Sequence, residues 1–174
     1  MKILLPLLGS LLLTLPAVGQ KISFNELLKL REVREPKALH RRLTMKGYKM
    51  VSDTAPTEGK SGIAAWGYKP KGTEAVAWVW FYYGIANGRY NVISYQPDCN
   101  CSISYFEKKM KRLNMRVLEE EQVIEEKDKT YSLTSYVGYR HVIRVLKQQQ
   151  PHDFFTIEVY DKDFYKGLKE QGIL

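Results

Sequence analysis

The chain has 174 residues, a formal net charge of +8 and two cysteines. This length allows one domain or two small ones. Past residue 19 no stretch is long and apolar enough to span a bilayer, so we predict no transmembrane helix after removal of the signal. The positive charge suits contact with envelope polysaccharide, lipid headgroups, nucleic acid or an acidic protein. Lysine and arginine are nevertheless spread along the whole chain, which is typical of solvated faces.

The first residues, MKILLPLLGSLLLTLPAVGQ, are typical of a secretory signal peptide. Lys2 supplies the positive start, Ile3–Leu15 is mostly apolar, and Ala17 and Gly19 are the small residues that a signal peptidase requires. A membrane anchor would need roughly 20 apolar residues without interruption, and this run is shorter and broken by prolines. We therefore predict that residues 1–19 are a cleaved signal peptide and that the protein is secreted or periplasmic.

Two helices are predicted next. In SFNELLKLREV, Ser23 and Glu26 have the S-x-x-E spacing of a capping box, in which each side chain satisfies a free donor of the first turn. Pro36 suits the first position of the second helix, because its missing N–H would have no partner there. Gly47 stands where the apolar stripe of that helix ends, which indicates a left-handed helix terminus.

Strand-like segments follow: YKMVSD, GIAAWGYKP, EAVAWVWFYYG and GRYNVISYQ. They are rich in Val, Ile and aromatic residues with short polar gaps, and Asn87-Gly88 is a turn signal, so we predict antiparallel hairpins. Successive side chains of a strand point to opposite faces. One face of the third segment would then hold Ala75, Ala77, Val79, Phe81 and Tyr83. The other face would hold Val76, Trp78, Trp80 and Tyr82.

The second of these sets is the predicted binding surface. The first set contains small residues that suit close approach of a helix, which would leave Val76, Trp78, Trp80 and Tyr82 on the other face. Aromatic residues are frequent anchors at interfaces because they bury a large area with few rotatable bonds. Trp66 and Tyr68 on the preceding strand could extend the same patch. The alternative is that both faces are covered and that all of these residues belong to the core.

Cys99 and Cys101 lie in the segment PDCNCS. In an oxidising compartment the two thiols are expected to be oxidised where geometry allows. A bridge across one residue is a tight ring, since the Cα spacing just reaches the usual range of roughly 4.4–6.8 Å. A structural clip, two free thiols and an intermolecular bond are all open. So is a redox-active pair, which would need a lowered thiol pKa.

The second half repeats the order of the first. The apolar residues of SISYFEKKMKRLN recur on one helical face, Ser104 and Glu107 have capping-box spacing, and Asn114 stands where the stripe ends. Four strand-like segments follow: MRVLEEEQVI, TYSLTSYVGY, RHVIRVLKQ and DFFTIEVYD. A shortened third copy of the helix, DFYKGLKEQGIL, ends at Gly172. Three helices stopped in the same register indicate a duplication.

The predicted fold class is α+β, with two tandem units that each combine a helix with a four-stranded antiparallel sheet. Residues 20–98 form the first unit with an extra N-terminal helix, and residues 99–174 form the second with a C-terminal helix. We expect the helices on one face of the sheet. This layout resembles that of the secreted beta-lactamase inhibitory protein family, which implies an aromatic-rich sheet surface that grips a target protein. Composition and signal also resemble those of secreted proteins of Gram-negative bacteria.

The functional prediction is a non-catalytic binding module for a protein or an envelope component. G-x-S-x-G, H-E-x-x-H and phosphate-loop motifs are absent from the sequence, and its three histidines are scattered, so we predict no enzyme, cofactor or metal site. An envelope protein that binds polyanions is the alternative, and a thiol redox protein that uses Cys99 and Cys101 is a third possibility. Basic runs such as GYRHVIRVLK could contact nucleic acid, but secretion argues against it.

Overall fold

The computed structural model describes residues 22–72, 74–85, 90–97, 102–126, 129–148 and 154–174. Over these residues the chain is α+β, with four helices and one eight-stranded antiparallel sheet. The predicted signal peptide, the Asn87-Gly88 turn, Cys99 and Cys101 lie outside the described residues. None of the helices in the described ranges is long and apolar enough to cross a membrane.

The helices and strands follow the order predicted from the sequence. The helices are α1 (Phe24–Arg31), α2 (Pro36–Thr44), α3 (Ile103–Arg112) and α4 (Lys162–Glu170). The strands of the first half are β1 (Tyr48–Thr54), β2 (Gly62–Tyr68), β3 (Ala77–Ile85) and β4 (Tyr90–Gln96). Those of the second half are β5 (Arg116–Glu126), β6 (Lys129–Val137), β7 (His141–Gln148) and β8 (Phe154–Asp161).

The sheet joins the two halves of the chain through their last strands. Its strand order is β1-β2-β3-β4-β8-β7-β6-β5, so each half is a meander of sequential neighbours. Strands β4 and β8 pair in the middle, with Ile93 opposite Val159 and Tyr95 opposite Ile157. These four side chains are buried, and their burial binds the two halves into one continuous layer.

Three helices end in the conformation that the sequence indicates. Gly47, Asn114 and Gly172 follow α2, α3 and α4, with φ of +84°, +52° and +67°. The residues after Asn114 and Gly172 also donate their backbone N–H to a carbonyl five residues earlier. This back-bonding satisfies carbonyls that a helix end leaves free, so the predicted helix ends are confirmed.

The capping predictions differ in outcome. Ser23 and Glu26 form the predicted capping box at the start of α1, and Pro36 is the first residue of α2. The box predicted from Ser104 and Glu107 is wrong, because α3 already begins at Ile103 after the N-cap Ser102. The Glu107 carboxylate instead accepts a bond of 3.3 Å from Lys147 Nζ on β7.

The main core lies between the sheet and helices α1 to α3. Helix α1 packs against β4 and β8, and α2 packs against β1. Phe106 of α3 contacts aromatic rings from α1, β4 and β8, with ring centroids 6.1–6.2 Å apart. We call this side of the sheet the helix-covered face. Its fully buried strand residues include Trp66, Val79, Phe81, Ile143 and Val159.

Helix α4 packs on the opposite side of the sheet. Its Tyr165 forms a separate buried cluster with Val92, Val142 and Tyr160, which alternate along their strands with the helix-covered residues Ile93, Ile143 and Val159. The expectation that all helices lie on one face is therefore not confirmed. Side-chain alternation explains the result, because the apolar residues of α4 meet the even-numbered positions of β7 and β8.

Asp161 fixes the junction between β8, α4 and α1. One carboxylate oxygen accepts from the backbone N–H groups of Asp163 and Phe164, at 3.0 and 3.3 Å, and so caps α4. The other accepts from Arg31 Nη2 at 2.9 Å. Burial raises the pKa of Asp161, but the bonds from Phe164 and Asp163 and the charge of Arg31 outweigh it and lower that pKa.

We expect Asp161→Ala to lower the free energy of unfolding by about 2 kcal/mol, because it removes both the cap and the ion pair. Asp161→Asn is the matched control, since its amide oxygen still accepts from the first turn while its charge is lost. It should cost about half as much. Urea denaturation of both variants measures the two losses, and equal losses would contradict this division of roles.

Candidate binding face

The surface opposite α1 to α3 is covered at one end by α4. Beyond α4, four central strands present side chains that are half-buried, except for the buried Ser94. We call this surface the open face. It consists of Trp78, Trp80, Ser94, Gln96, Arg144, Leu146, Thr156 and Glu158.

Two tryptophans form the aromatic part of the open face. Trp78 and Trp80 alternate along β3 with Val79 and Phe81, which are fully buried on the helix-covered face. The two indole rings stack, with centroids 5.6 Å apart and planes 16° from parallel. The predicted alternation of this strand is therefore confirmed, and the stacked pair is half-buried rather than enclosed in the core.

Two small residues on β2 lie opposite this pair of tryptophans. Gly67 is opposite Trp78, and Ala65 is opposite Trp80. A Cβ at Gly67 would lie 3.5 Å from the Trp78 ring and 3.0 Å from the Ala75 side chain. A side chain at position 67 would therefore crowd Ala75, and it would meet the indole at ordinary van der Waals distance. Glycine at this position therefore leaves room for Ala75 beside the Trp78 ring.

Trp66 and Tyr68 do not extend the patch, so that part of the predicted binding surface is wrong. They pair with Val79 and Ala77 and point to the helix-covered face, where Trp66 is 0 % and Tyr68 6 % exposed. The Trp66 Nε1–H donates to Nδ1 of His40 on α2, at 3.2 Å. The physical reason is register, which puts even-numbered residues of β2 opposite odd-numbered residues of β3.

Tyr82 and Val76 lie at the margins of the open face. Tyr82 packs against the cluster under α4, and burial, together with the charge of Glu158, raises its pKa. Val76 precedes β3 and is 47 % exposed. Of the predicted binding residues, Trp78 and Trp80 therefore lie on the open face, while Tyr82 connects them to the α4 end.

A charged pair occupies the centre of the open face. Trp80, Ser94, Glu158 and Arg144 are successive partners across β3, β4, β8 and β7. Strands lie about 4.8 Å apart, so this row is about 14 Å long. Arg144 Nη1 donates to Glu158 Oε2 at 3.2 Å, and the Tyr160 hydroxyl donates to the same oxygen at 3.0 Å. The two charged side chains are 12 % and 19 % exposed.

Burial dominates the electrostatics of this centre. It raises the pKa of Glu158, against the opposing charge of Arg144 and the hydrogen bond from Tyr160. Burial likewise raises the pKa of Tyr160, and the charge of Glu158 adds to the effect. The Glu158 carboxyl and the Tyr160 hydroxyl therefore bind their protons more tightly than they would in water. The hydrogen bonds from Arg144 and Tyr160 to Glu158 hold the Arg144 side chain in a fixed position.

Sequence reasoning missed the charged centre. Period-two alternation in HVIRVLKQ and FFTIEVYD places Arg144 and Glu158 between buried apolar neighbours, which is a signal for a buried charge pair. Strands β7 and β8 are consecutive, but the register that sets Arg144 opposite Glu158 also depends on packing across the whole sheet. The pattern could therefore flag each residue singly but could not bring the two together.

Within the described ranges, no three His, Cys, Asp or Glu side chains come together in a way that could hold a metal ion. Comparisons of the chain with protein-family models, with curated proteins and with solved structures found no match.

Proposed function

We propose that this protein is a secreted or periplasmic, non-catalytic binding module that recognises a protein or an envelope component through the open face. The observation that supports this most directly is the stacked Trp78–Trp80 pair, which is half-buried on the sheet rather than enclosed in a core. Tryptophan is among the residues most enriched at sites that dominate binding energy.

The geometry around the pair supports a ready-made surface. Gly67 and Ala65 lie opposite the two tryptophans on β2, and the stacked indoles restrict each other. Side chains that are already ordered lose less conformational entropy on binding. Gln96, the partner of Trp78 on β4, provides a polar group beside the apolar rings, as in interfaces with an apolar centre and a polar rim.

We further propose that residues 20–98 and 99–174 are repeated units. Two supports are the meander order of each half and the central pairing of their last strands, β4 and β8. A third is the positive φ at Gly47 and Asn114, at the same place in each half. In this arrangement the open face extends across the junction between the two units. The first unit contributes Trp80 and the second contributes Arg144.

The test is to compare the full-length mature protein with a Trp78→Ala/Trp80→Ala double variant as immobilised bait for the host's envelope and secreted fractions. We expect at least one component to bind the parent protein saturably and to lose affinity roughly 30-fold or more in the variant, the effect of removing one dominant anchor. The measurement is a titration of that purified component by calorimetry or interferometry.

Tyr105→Ala/Tyr139→Ala is the matched control, because these two aromatic residues are 40 % and 94 % exposed elsewhere on the surface. It should bind like the parent. Binding that survives the tryptophan changes would contradict the proposal. If it also fell steeply with salt, it would favour the polyanion alternative, for which α2 and α3 offer exposed Lys and Arg residues: Lys37, Arg41, Arg42, Lys108, Lys111 and Arg112.

A further inference from the structure

A concave site lies between α4 and the edge of the sheet. Its volume is about 370 Å³, near the lower end of the range for small-molecule pockets. Residues of β5, β6, β7 and α4 line it: Leu118, Glu119, Val137, Val142, Lys162, Asp163, Tyr165, Lys166 and Lys169. We call it the α4 groove, and it is separate from the tryptophan pair of the open face.

A β-bulge shapes one wall of the groove. Val117 pairs with Tyr136 and Glu119 pairs with Ser135, so Leu118 is an extra residue on β5. A bulge re-aims side chains and interrupts strict alternation. Leu118 and Glu119 can therefore both line the groove, although they are adjacent in the sequence.

The interior of the groove is apolar. Leu118, Val137, Val142 and the Tyr165 ring form its walls, and Val142 and Tyr165 are 1 % and 3 % exposed. Leu118 is 47 % exposed, so a ligand could cover a large apolar side chain that water now touches. Burial of such surface favours an apolar chain of the ligand.

The polar groups at the base of the groove satisfy one another. Glu119 accepts from the hydroxyls of Tyr165 and Ser135, each at 3.1 Å, and pairs with Lys169 at 2.7 Å. Burial opposes the charged form of Glu119, but the bonds from Lys169, Tyr165 and Ser135 outweigh it and lower its pKa. The charges of Glu119 and Lys169 therefore offset each other.

The rim of the groove adds positive charge on one side of α4. Lys162, Lys166 and Lys169 are spaced four and three residues apart, which places them on the same side of the helix. Lys166 contacts Glu170 at 3.6 Å, but both side chains are more than 60 % exposed, and such exposed pairs are weak. Lys162 and Lys166 can thus face an anionic group, with Asp163 as the nearby opposing charge.

We propose that the α4 groove binds a free, single-chain anionic amphiphile, such as a medium-chain carboxylate. The alkyl chain would lie between Leu118, Val137 and Tyr165, and the anionic head would contact Lys162 and Lys166. The volume has room for one chain rather than two. This inference is independent of the function proposed for the open face.

The experiment titrates the full-length mature protein with dodecanoate by calorimetry, below the micelle concentration. Dodecyltrimethylammonium, which has the same chain length and a cationic head, is the ligand control. We expect saturable 1:1 binding of dodecanoate that is at least several-fold tighter than binding of the cation, because the lysine rim attracts only the anion.

Two pairs of variants locate the site. Leu118→Asn should weaken dodecanoate binding roughly tenfold, whereas Leu113→Asn, at a leucine that is 51 % exposed on the end of α3, should leave it unchanged. Lys162→Ala/Lys166→Ala should weaken it about fivefold, with Lys108→Ala/Lys111→Ala as the control on α3. Changes at exposed positions are expected to preserve the fold, which circular dichroism verifies.

Three outcomes would overturn the proposal: no saturable binding, equal affinity for the cationic amphiphile, or equal loss in the control variants. A further arm offers vesicles of phosphatidylglycerol and phosphatidylcholine. Association with these vesicles without binding of monomeric dodecanoate would point to a membrane surface instead, and would also overturn it.

Discussion

Trp66→Ala is expected to lower the free energy of unfolding by about 3–5 kcal/mol, the usual cost of emptying a large aromatic site in a core. The Trp66 side chain is 0 % exposed and lies between the sheet and α2, where its Nε1–H donates to Nδ1 of His40. The change therefore leaves a cavity and removes a link between β2 and α2. Urea denaturation followed by circular dichroism measures the loss.

Trp80→Ala is the matched control, because it removes the same side chain from the next strand but from the open face. It should cost about 1–2 kcal/mol, through lost stacking with Trp78 and lost contact with the sheet. If Trp66→Ala fails to fold, Trp66→Phe takes its place, because it keeps most of the side-chain volume. Its loss of unfolding free energy should lie between the losses expected for Trp66→Ala and Trp80→Ala. Losses at Trp66 and Trp80 within 1 kcal/mol of each other would contradict the assignment of the two faces.

The second large effect is expected at the charged centre of the open face. Glu158→Ala leaves Arg144 with its charge and only 12 % exposure, and removing one partner of such a pair costs about 3 kcal/mol. The double variant Arg144→Met/Glu158→Leu removes both charges and retains much of the packing volume. It should be clearly more stable than Glu158→Ala, because no unpaired charge stays behind.

The chain offers a matched, more exposed pair whose lysine is on the same strand as Arg144. Lys147 of β7 and Glu107 are 3.3 Å apart, nearly the separation of Arg144 and Glu158, but their side chains are 42 % and 41 % exposed. Glu107→Ala should therefore cost less than about 1 kcal/mol. Chemical denaturation of all these variants gives the comparison. Equal losses at Glu107 and Glu158 would show that burial does not govern the central pair.

The sequence by itself determined the features that depend on near neighbours. Gly47 and Asn114 end their helices because glycine and asparagine tolerate positive φ. Val79 and Trp80 point to opposite faces of β3 because a strand has a repeat of two residues. The number, type and order of the helices and strands followed from the same local rules.

Only the tertiary structure decided the features that depend on which strands pair and in what register. Pairing of β4 with β8 makes one sheet from two meanders, and the register of β2 on β3 places Trp66 in the core rather than beside Trp78. The register of β7 on β8 sets Arg144 opposite Glu158, and α4 packs on the side of the sheet that α1 to α3 do not cover. Local patterns give each strand two faces, but hydrogen bonding between strands and competition for buried area choose which face meets which helix.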